Sequence, residues 1–265
     1  MSEESSFLAS SHWNNHPCGT YQDSSYILTY HELLALFDQK SQQQSWQTRY
    51  IPYNDYRHKP ILEIGTGVGF ELLRFASGGA ICHGLDVTDR HIDNTYSTFS
   101  RYHFLCDVRK EDISVHRSTF EDESFDLIYS FGVIHHIESR SFMYSEVARM
   151  LKPEGRLIFV TYNLFSLATL SLYIHSLINL NIFRFGLSKV HSTIEAGVDI
   201  RSANLPHVEL KSKSFWKKEF RDNGFKILST STHQIYFSRS RLLNNLVYPL
   251  HPFLGWYNYF ELKKF

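Results

Sequence analysis

An excess of charge of either sign is missing from this 265-residue chain: 27 Lys and Arg offset 27 Asp and Glu. Nothing in that balance suggests a nucleic-acid partner, which would need a basic patch to neutralise a phosphate backbone. Cysteine is scarce too. Cys18, Cys82 and Cys106 are odd in number and far apart, so neither a disulfide framework nor a metal-ligand spacing is visible. The opening residues, Met1 to Ser10, are acidic and lack the basic-then-apolar pattern of a secretory leader. A reducing, cytoplasmic setting and no bound metal are the expectation. Seven Pro, 13 Gly and the absence of repeats or low-complexity blocks exclude collagen-like and wholly disordered chains.

Formal charge disappears altogether between Arg156 and Arg184, long enough on length alone for a membrane span of ~20 residues. Leu157 to Thr161, however, reads as a strand after a turn at Pro153-Glu154-Gly155. The remainder, Leu164 to Phe183, is interrupted by Ser166, Thr169, Ser171, His175, Ser176, Asn179 and Asn181, several of them three or four apart. That spacing predicts an uncharged amphipathic helix, not a span.

What is present is a globular composition, 43% hydrophobic, sized for one large domain or a domain with a cap. The first sixty residues are rich in aromatics, Ser and Gln, with a helix expected over Ile27–Gln39. From Ile61 the pattern turns to short apolar runs separated by helical stretches. Ile61–Ile64, Ile81–Leu85, Phe125–Tyr129 and Leu157–Thr161 read as strands buried on both faces; Gly69–Ser77, Thr88–Tyr102 and Arg140–Leu151 read as helices. Such alternation argues for a parallel α/β sheet. A further strand is needed before Phe120 and is placed at Asp112–Arg117. Gly186–Lys213 reads as a long polar loop and candidate lid, and Ser214–Asn223 as a short helix stopped by Gly224. Phe225–Thr230 and His233–Phe237 read as a strand pair finishing the sheet. The division expected is a cap over 1–59, a main domain over 60–240 with an insert at 163–213, and an apolar tail over 241–265.

Two motifs carry chemistry. In Ile61-Leu62-Glu63-Ile64-Gly65-Thr66-Gly67-Val68-Gly69, an apolar strand holding an acid runs into glycines that open a helix. Gly65 and Gly67 permit positive φ and close approach of a ligand to the backbone, and the helix start offers free N–H groups. The spacing is G-x-G-x-G, not the G-x-G-x-x-G that seats a dinucleotide pyrophosphate. In Gly84-Leu85-Asp86-Val87-Thr88, an acid closes the next strand, where it can accept both hydroxyls of a ribose or cap the following helix.

Glu63-x-Gly65-x-Gly67-x-Gly69, Asp86, Ser124-Phe125-Asp126-Leu127-Ile128-Tyr129-Ser130, Val133-Ile134-His135-His136-Ile137 and Leu151-Lys152-Pro153-Glu154-Gly155-Arg156-Leu157 follow one another in order. Over about Ile61 to Tyr162 the chain thereby resembles class I S-adenosylmethionine-dependent methyltransferases, of the small-molecule type that includes ubiquinone-pathway enzymes. Trp13-Asn14-Asn15-His16-Pro17-Cys18-Gly19 also resembles a prefix in some bacterial members. The resemblance implies an α/β fold: a Rossmann-like, doubly wound, seven-stranded and mostly parallel sheet, with an N-terminal helical cap and a helix or lid inserted after the fifth strand. It implies S-adenosylmethionine as cofactor. Glu63 would sit near the cofactor's amino group, while Gly65, Thr66 and Gly67 would wrap its methionine part. Asp86, with Val87 beside it, would hold the ribose, and Ser130 and Phe131 would border the sulfonium.

One departure stands out. Many members carry an Asp and a small residue after the third strand, where the acid bonds the adenine amine. Ile113-Ser114-Val115-His116-Arg117-Ser118-Thr119-Phe120 has no acid, so Thr119, Ser118 or Asp107 is left to substitute. The pair His135-His136 offers imidazoles suited to general-base work near neutrality; the plainer reading is a loop held by backbone bonds. The aromatics Trp13, Tyr21, Tyr26, Tyr30 and Trp46 either roof a pocket or pack as core.

The function expected is methyl transfer to an oxygen, nitrogen or carbon of a small, partly apolar acceptor. A non-catalytic binding or scaffold protein on the same fold is the alternative, motivated by the missing acid and the apolar tail. The apolar segments also leave open a homodimer face and contact with a membrane surface or lipid-like substrate.

Overall fold

β-Branched and large apolar residues crowd the run Pro60–Ile64, and every position after Pro60 is buried, Glu63 included. This is strand β1, covered on both faces as parallel strands in α/β proteins are. The computed structural model describes residues 10–14, 38, 44–196, 200–201, 206–235 and 248–265. After a helical turn α1 (Gln47–Tyr50), the elements are β1, α2 (Phe70–Ser77), β2 (Ile81–Asp86), α3 (Asp89–Arg101), β3 (Cys106–Lys110), β4 (Phe125–Phe131), α4 (Ser141–Met150) and β5 (Leu151–Tyr162). There follow α5 (Leu167–Ile178), α6 (Asn181–Phe185), α7 (Leu187–Ala196), α8 (Lys213–Asp222), β6 (Phe225–His233), α9 (His251–Leu254) and β7 (Tyr257–Lys264). Seven strands form one sheet in the order β3-β2-β1-β4-β5-β7-β6. β1 pairs in parallel with β2 and with β4, and β2 with β3.

The chain divides into two compact units, one of residues up to Ser130 with Ser139–Leu157, the other of Phe131–Glu138 with Ile158–Lys263. In the first, Ile61, Leu62, Leu72, Phe75, Leu127, Ile128 and Tyr129 are sealed from solvent. Lys152 at the start of β5 pairs with Asp126 of β4 at 2.6 Å, joining two of the sequence motifs. Lys264, which clusters with this unit, donates to the Leu151 carbonyl at 2.7 Å and the Ala148 carbonyl at 3.4 Å, placing a cation at the C-terminal end of α4. In the second unit Phe159, Phe220 and Phe260 pack ring on ring with centroids 5.1–5.5 Å apart. The contacts Thr232–Asn258, Ser229–Glu261 and Gly224–Phe265 advance in opposite directions along the chain, so β6 and β7 run antiparallel.

Five local expectations are corrected. The third strand is Cys106–Lys110, not Asp112–Arg117, and residues 113–116 form a turn. Only Val108 of β3 is fully buried, because β3 is the sheet edge; the apolar run sought as a strand signal is therefore absent there. Pro153-Glu154-Gly155 lies within the twelve-residue strand β5 instead of turning. The uncharged helix is broken at Asn179 and Leu180, Leu180 having left-handed backbone at φ 55°, and the segment read as a polar loop from Gly186 contains α7. Where a strand pair is expected, Phe225–His233 forms one continuous strand, β6, and residues 236–237 of the expected second strand lie outside the described residues; the neighbour of β6 in the sheet, β7, comes from within the segment read as tail. The helix expected over Ile27–Gln39, Asp38 apart, and the aromatics Tyr21, Tyr26 and Tyr30, lie outside the described residues.

Candidate functional site

At the carboxyl ends of β1 and β2 the first unit folds its glycine loop back onto an acid. Gly65 donates its N–H to the Leu85 carbonyl at 2.7 Å, continuing the β1–β2 ladder. Gly65, Gly67 and Gly69 all have left-handed φ, 78°, 57° and 77°, which only glycine adopts without strain. A Cβ on Gly67 would meet nothing within 4 Å, so the loop presents an open side at its crest. Its other side is held by α3. Thr95 Oγ1 donates to the Gly67 carbonyl at 3.3 Å and lies 3.1 Å from the Thr66 hydroxyl, and Thr98 Oγ1 donates to the Val68 carbonyl at 2.7 Å. Gly84 is required beneath: a Cβ there would lie 2.4 Å from Thr66 Cγ2.

Asp86 ends β2 almost wholly buried. Its carboxylate accepts the Gly67 N–H at 3.2 Å and the Thr88 N–H and hydroxyl at 3.0 and 3.1 Å. His91 Nδ1 lies 3.1 Å from both oxygens and must carry its proton there to bond an ionised carboxylate. Burial alone would raise the Asp86 pKa; the His91 side chain and the Gly67 and Thr88 N–H groups outweigh it and hold the carboxyl below its ordinary range. The two sequence-level roles of this acid are thus separated: Thr88, not Asp86, is the N-cap of α3, accepting the His91 N–H at 3.2 Å. On the same buried face, Asn94 Nδ2 finds no partner among the described residues. A buried donor of that kind is one a bound polar ligand can satisfy. Sequence reading missed His91 and Asn94; the polar i, i+3, i+4, i+7 stripe His91-Asn94-Thr95-Thr98 was the available signal.

Beyond β3 the acid sought in vain over 113–120 stands one step earlier. Glu111 donates its N–H to the Asp86 carbonyl at 3.0 Å, which sets Glu111 and Asp112 at the strand ends beside Asp86. The Glu111 carboxylate receives the Ser118 and Thr119 hydroxyls and the Thr119 N–H, while Asp112 Oδ1 receives the Ser114 N–H at 2.9 Å. Asp107 is not at that level. It pairs in register with His83, three residues short of the Asp86–Lys110 pair, or about 10 Å along the strand. There Arg109 holds it at 2.7 Å and, with His83, keeps its pKa low. With the third strand at Cys106–Lys110, the residues that follow it directly are the acids Glu111 and Asp112.

Ser130 is buried near the end of β4, its hydroxyl donating to the Ile64 carbonyl at 3.0 Å. Phe131 closes the strand and, within the second unit, rests on Tyr257 at 4.9 Å. His135 and His136 follow in a single 3-10 turn. The His135 ring is sealed against Tyr162 at 4.4 Å, its carbonyl accepts the Glu209 N–H at 2.9 Å, and His136 Nδ1 lies 2.7 Å from the His207 carbonyl. These contacts tie the loop to residues 207–209. Tyr162 stacks on Trp256 at 4.4 Å. No cluster of three or more His, Cys, Asp or Glu able to hold a metal occurs among the described residues.

Comparison with known proteins agrees with this geometry. Residues 62–159 match the family described as a methyltransferase domain. The uncharacterized methyltransferase YcgJ of Bacillus subtilis is 31% identical over 102 residues, 38% of this chain and 40% of that protein. Ubiquinone biosynthesis O-methyltransferase of Coxiella burnetii is 28% identical over 105 residues, 40% of this chain and 44% of that one. The chain thus spans about two-fifths of the length of the curated relatives it matches. Among solved structures, geranyl diphosphate C-methyltransferase from Streptomyces coelicolor, crystallised with S-adenosyl-L-homocysteine, superposes with a TM-score of 0.62 at 13% identity, covering 100% of both chains. Residues 62–159 thus match a methyltransferase domain, and the fold around them is shared with solved methyltransferases.

Proposed function

We propose that the chain transfers a methyl group from S-adenosylmethionine to an oxygen, nitrogen or carbon atom of a small, partly apolar acceptor. The observation that carries this is the glycine loop: open at Gly67, backed by α3, and bonded to a buried acid at the end of the neighbouring strand. A loop so built admits a ligand against its backbone, and the residues present fit the cofactor. Gly65, Thr66 and Gly67 wrap the methionine part, with Glu63 near its amino group. Asp86 and Val87 take the ribose, and Ser130 and Phe131 border the sulfonium. Asp112 takes the adenine amine, with Thr119 in the loop that Glu111 holds.

S-adenosylmethionine held by these residues would supply an electrophilic methyl carbon to an electron pair of the acceptor, leaving the thioether S-adenosylhomocysteine. The chain's own contribution is alignment and exclusion of water, which can carry most of the acceleration. No side chain is assigned as a base; His135 and His136 hold their loop. The name of the ubiquinone-biosynthesis relative supports a partly apolar acceptor.

Calorimetry with S-adenosylhomocysteine and S-adenosylmethionine, and NADH as control, tests the reading. Micromolar binding of both sulfur ligands, none of NADH, and loss of binding in Gly67→Arg and Asp86→Ala are expected. Absence of binding by the unaltered chain, or unchanged affinity in both variants, overturns it.

A further inference from the structure

Helix α5 is amphipathic in the reverse sense. Its polar side faces inward: Thr169 and Ser176 are buried, Thr169 Oγ1 donates to the Asn163 carbonyl at 3.0 Å, and Tyr173 meets His191 of α7 at 2.8 Å. Its apolar side faces out, with Leu170, Ile174, Leu177 and Ile178 47–74% exposed at i, i+4, i+7 and i+8. The surface continues through Leu180 at 63% and Phe183 of α6 at 76%. A surface helix in water ordinarily turns its polar side outward, and a contiguous exposed apolar face of this kind marks an interaction site.

The charges around the face identify its occupant. No Asp or Glu occurs between Arg156 and Glu195, while Arg184 and Lys189 lie beside the patch, both over the Phe185 ring at 5.3 and 5.5 Å. A two-fold dimer through this face would bring Arg184 and Lys189 of each copy toward the same cations of the other, since each copy offers the same surface. An anionic lipid surface matches both features, taking the apolar side chains into its acyl boundary and the cations at its headgroups. At twelve residues, α5 is too short to cross a bilayer and suited to lie in its plane. We propose that the apolar face of α5 and α6 docks on an anionic phospholipid membrane surface. This goes beyond the methyl transfer and does not depend on it.

The test is flotation of the full chain with vesicles of phosphatidylcholine alone and of phosphatidylcholine mixed with phosphatidylserine, at low and at physiological salt. Binding to the anionic vesicles, weakened by salt, is expected. Arg184→Gln with Lys189→Gln should lower the partition coefficient about 30-fold, at ~1 kcal/mol per cation. Ile174→Ser with Ile178→Ser should lower it at least about tenfold. Ile174, Ile178 and Arg184 are exposed and Lys189 is half-buried, and an unchanged circular-dichroism melt confirms that both variants fold. Failure of the unaltered chain to bind anionic vesicles, or binding indifferent to both variants, overturns the proposal. So does a dimer in sedimentation equilibrium that the Ile174→Ser, Ile178→Ser variant dissociates, which would assign the face to a second copy.

Discussion

Asp86→Asn changes the chemistry of one atom where little else can adjust. The carboxylate is 5% exposed and receives the Gly67 N–H, the Thr88 N–H and hydroxyl, and His91 Nδ1, all within 3.0–3.2 Å. Asparagine keeps the shape and one acceptor oxygen but turns the other position into a donor facing donors. Hydrogen bonds to a charged group are worth about 1.5–3 kcal/mol, and a buried donor left unsatisfied costs about 1–3 kcal/mol. We expect Asp86→Asn to lose about 3 kcal/mol of stability. With a urea slope of about 3 kcal/mol per molar, the unfolding midpoint falls by about 1 M. Combined with His91→Gln in a double-mutant cycle, the pair should show a coupling of about 1–2 kcal/mol. The pH dependence follows the same contacts. The folded pKa of Asp86 lies below the unfolded value of about 3.9, so this stability is present above that value and is lost as pH falls through the folded one. The asparagine variant should lack that acid-side loss. An unchanged urea midpoint, or zero coupling with His91, would refute the reading of Asp86 as the fastener of the glycine loop.

Gly84→Ala should cost about 1–3 kcal/mol by overpacking, because its Cβ would fall 2.4 Å from Thr66 Cγ2; adding Thr66→Ser removes that methyl and should restore most of the melting temperature, and no recovery would place the strain elsewhere. His233 is pushed down to about 4 by burial, with His251 and Lys213 adding to the shift. The unfolded chain then takes up a proton near pH 6.5 that the folded one refuses, so stability should fall as pH drops from about 6.5 to about 4. Urea titrations at several pH values should show that slope reduced in His233→Gln, and an NMR titration placing His233 at or above 6.5 would contradict it. Leu180→Gly should raise the melting temperature by a few degrees, about 2–4 °C per kcal/mol, since Leu180 is exposed and held at φ 55°.

The alternation of apolar runs and helical stretches places β1, β2, β4 and the helices between them within a residue or two of where they lie, because both faces of those strands are buried and their composition says so. The glycine loop and Asp86 are legible for the same reason: G-x-G-x-G must take left-handed backbone, and an acid closing a buried strand must find donors. β3 is not legible. As an edge strand it buries only Val108, so Cys106–Lys110 looks like loop, and Glu111 and Asp112 are then not read as the acids that follow the third strand.

Tertiary structure alone decides the rest. β7 sits between β5 and β6 although it is last in sequence, a pairing set by contacts between residues such as Asn258 and Thr232 that no local pattern records. The donors of Asp86 come from two elements on either side of it, the glycine loop and the start of α3, and the identity of His91 among them depends on one helical turn meeting one strand end. The residues of Leu164–Phe183 predict an amphipathic helix, yet periodicity is blind to direction: it fixes which residues share a face, not which face meets water. Only the packing of Thr169, Tyr173 and Ser176 inward, against Asn163 and His191, leaves Leu170, Ile174 and Ile178 outside.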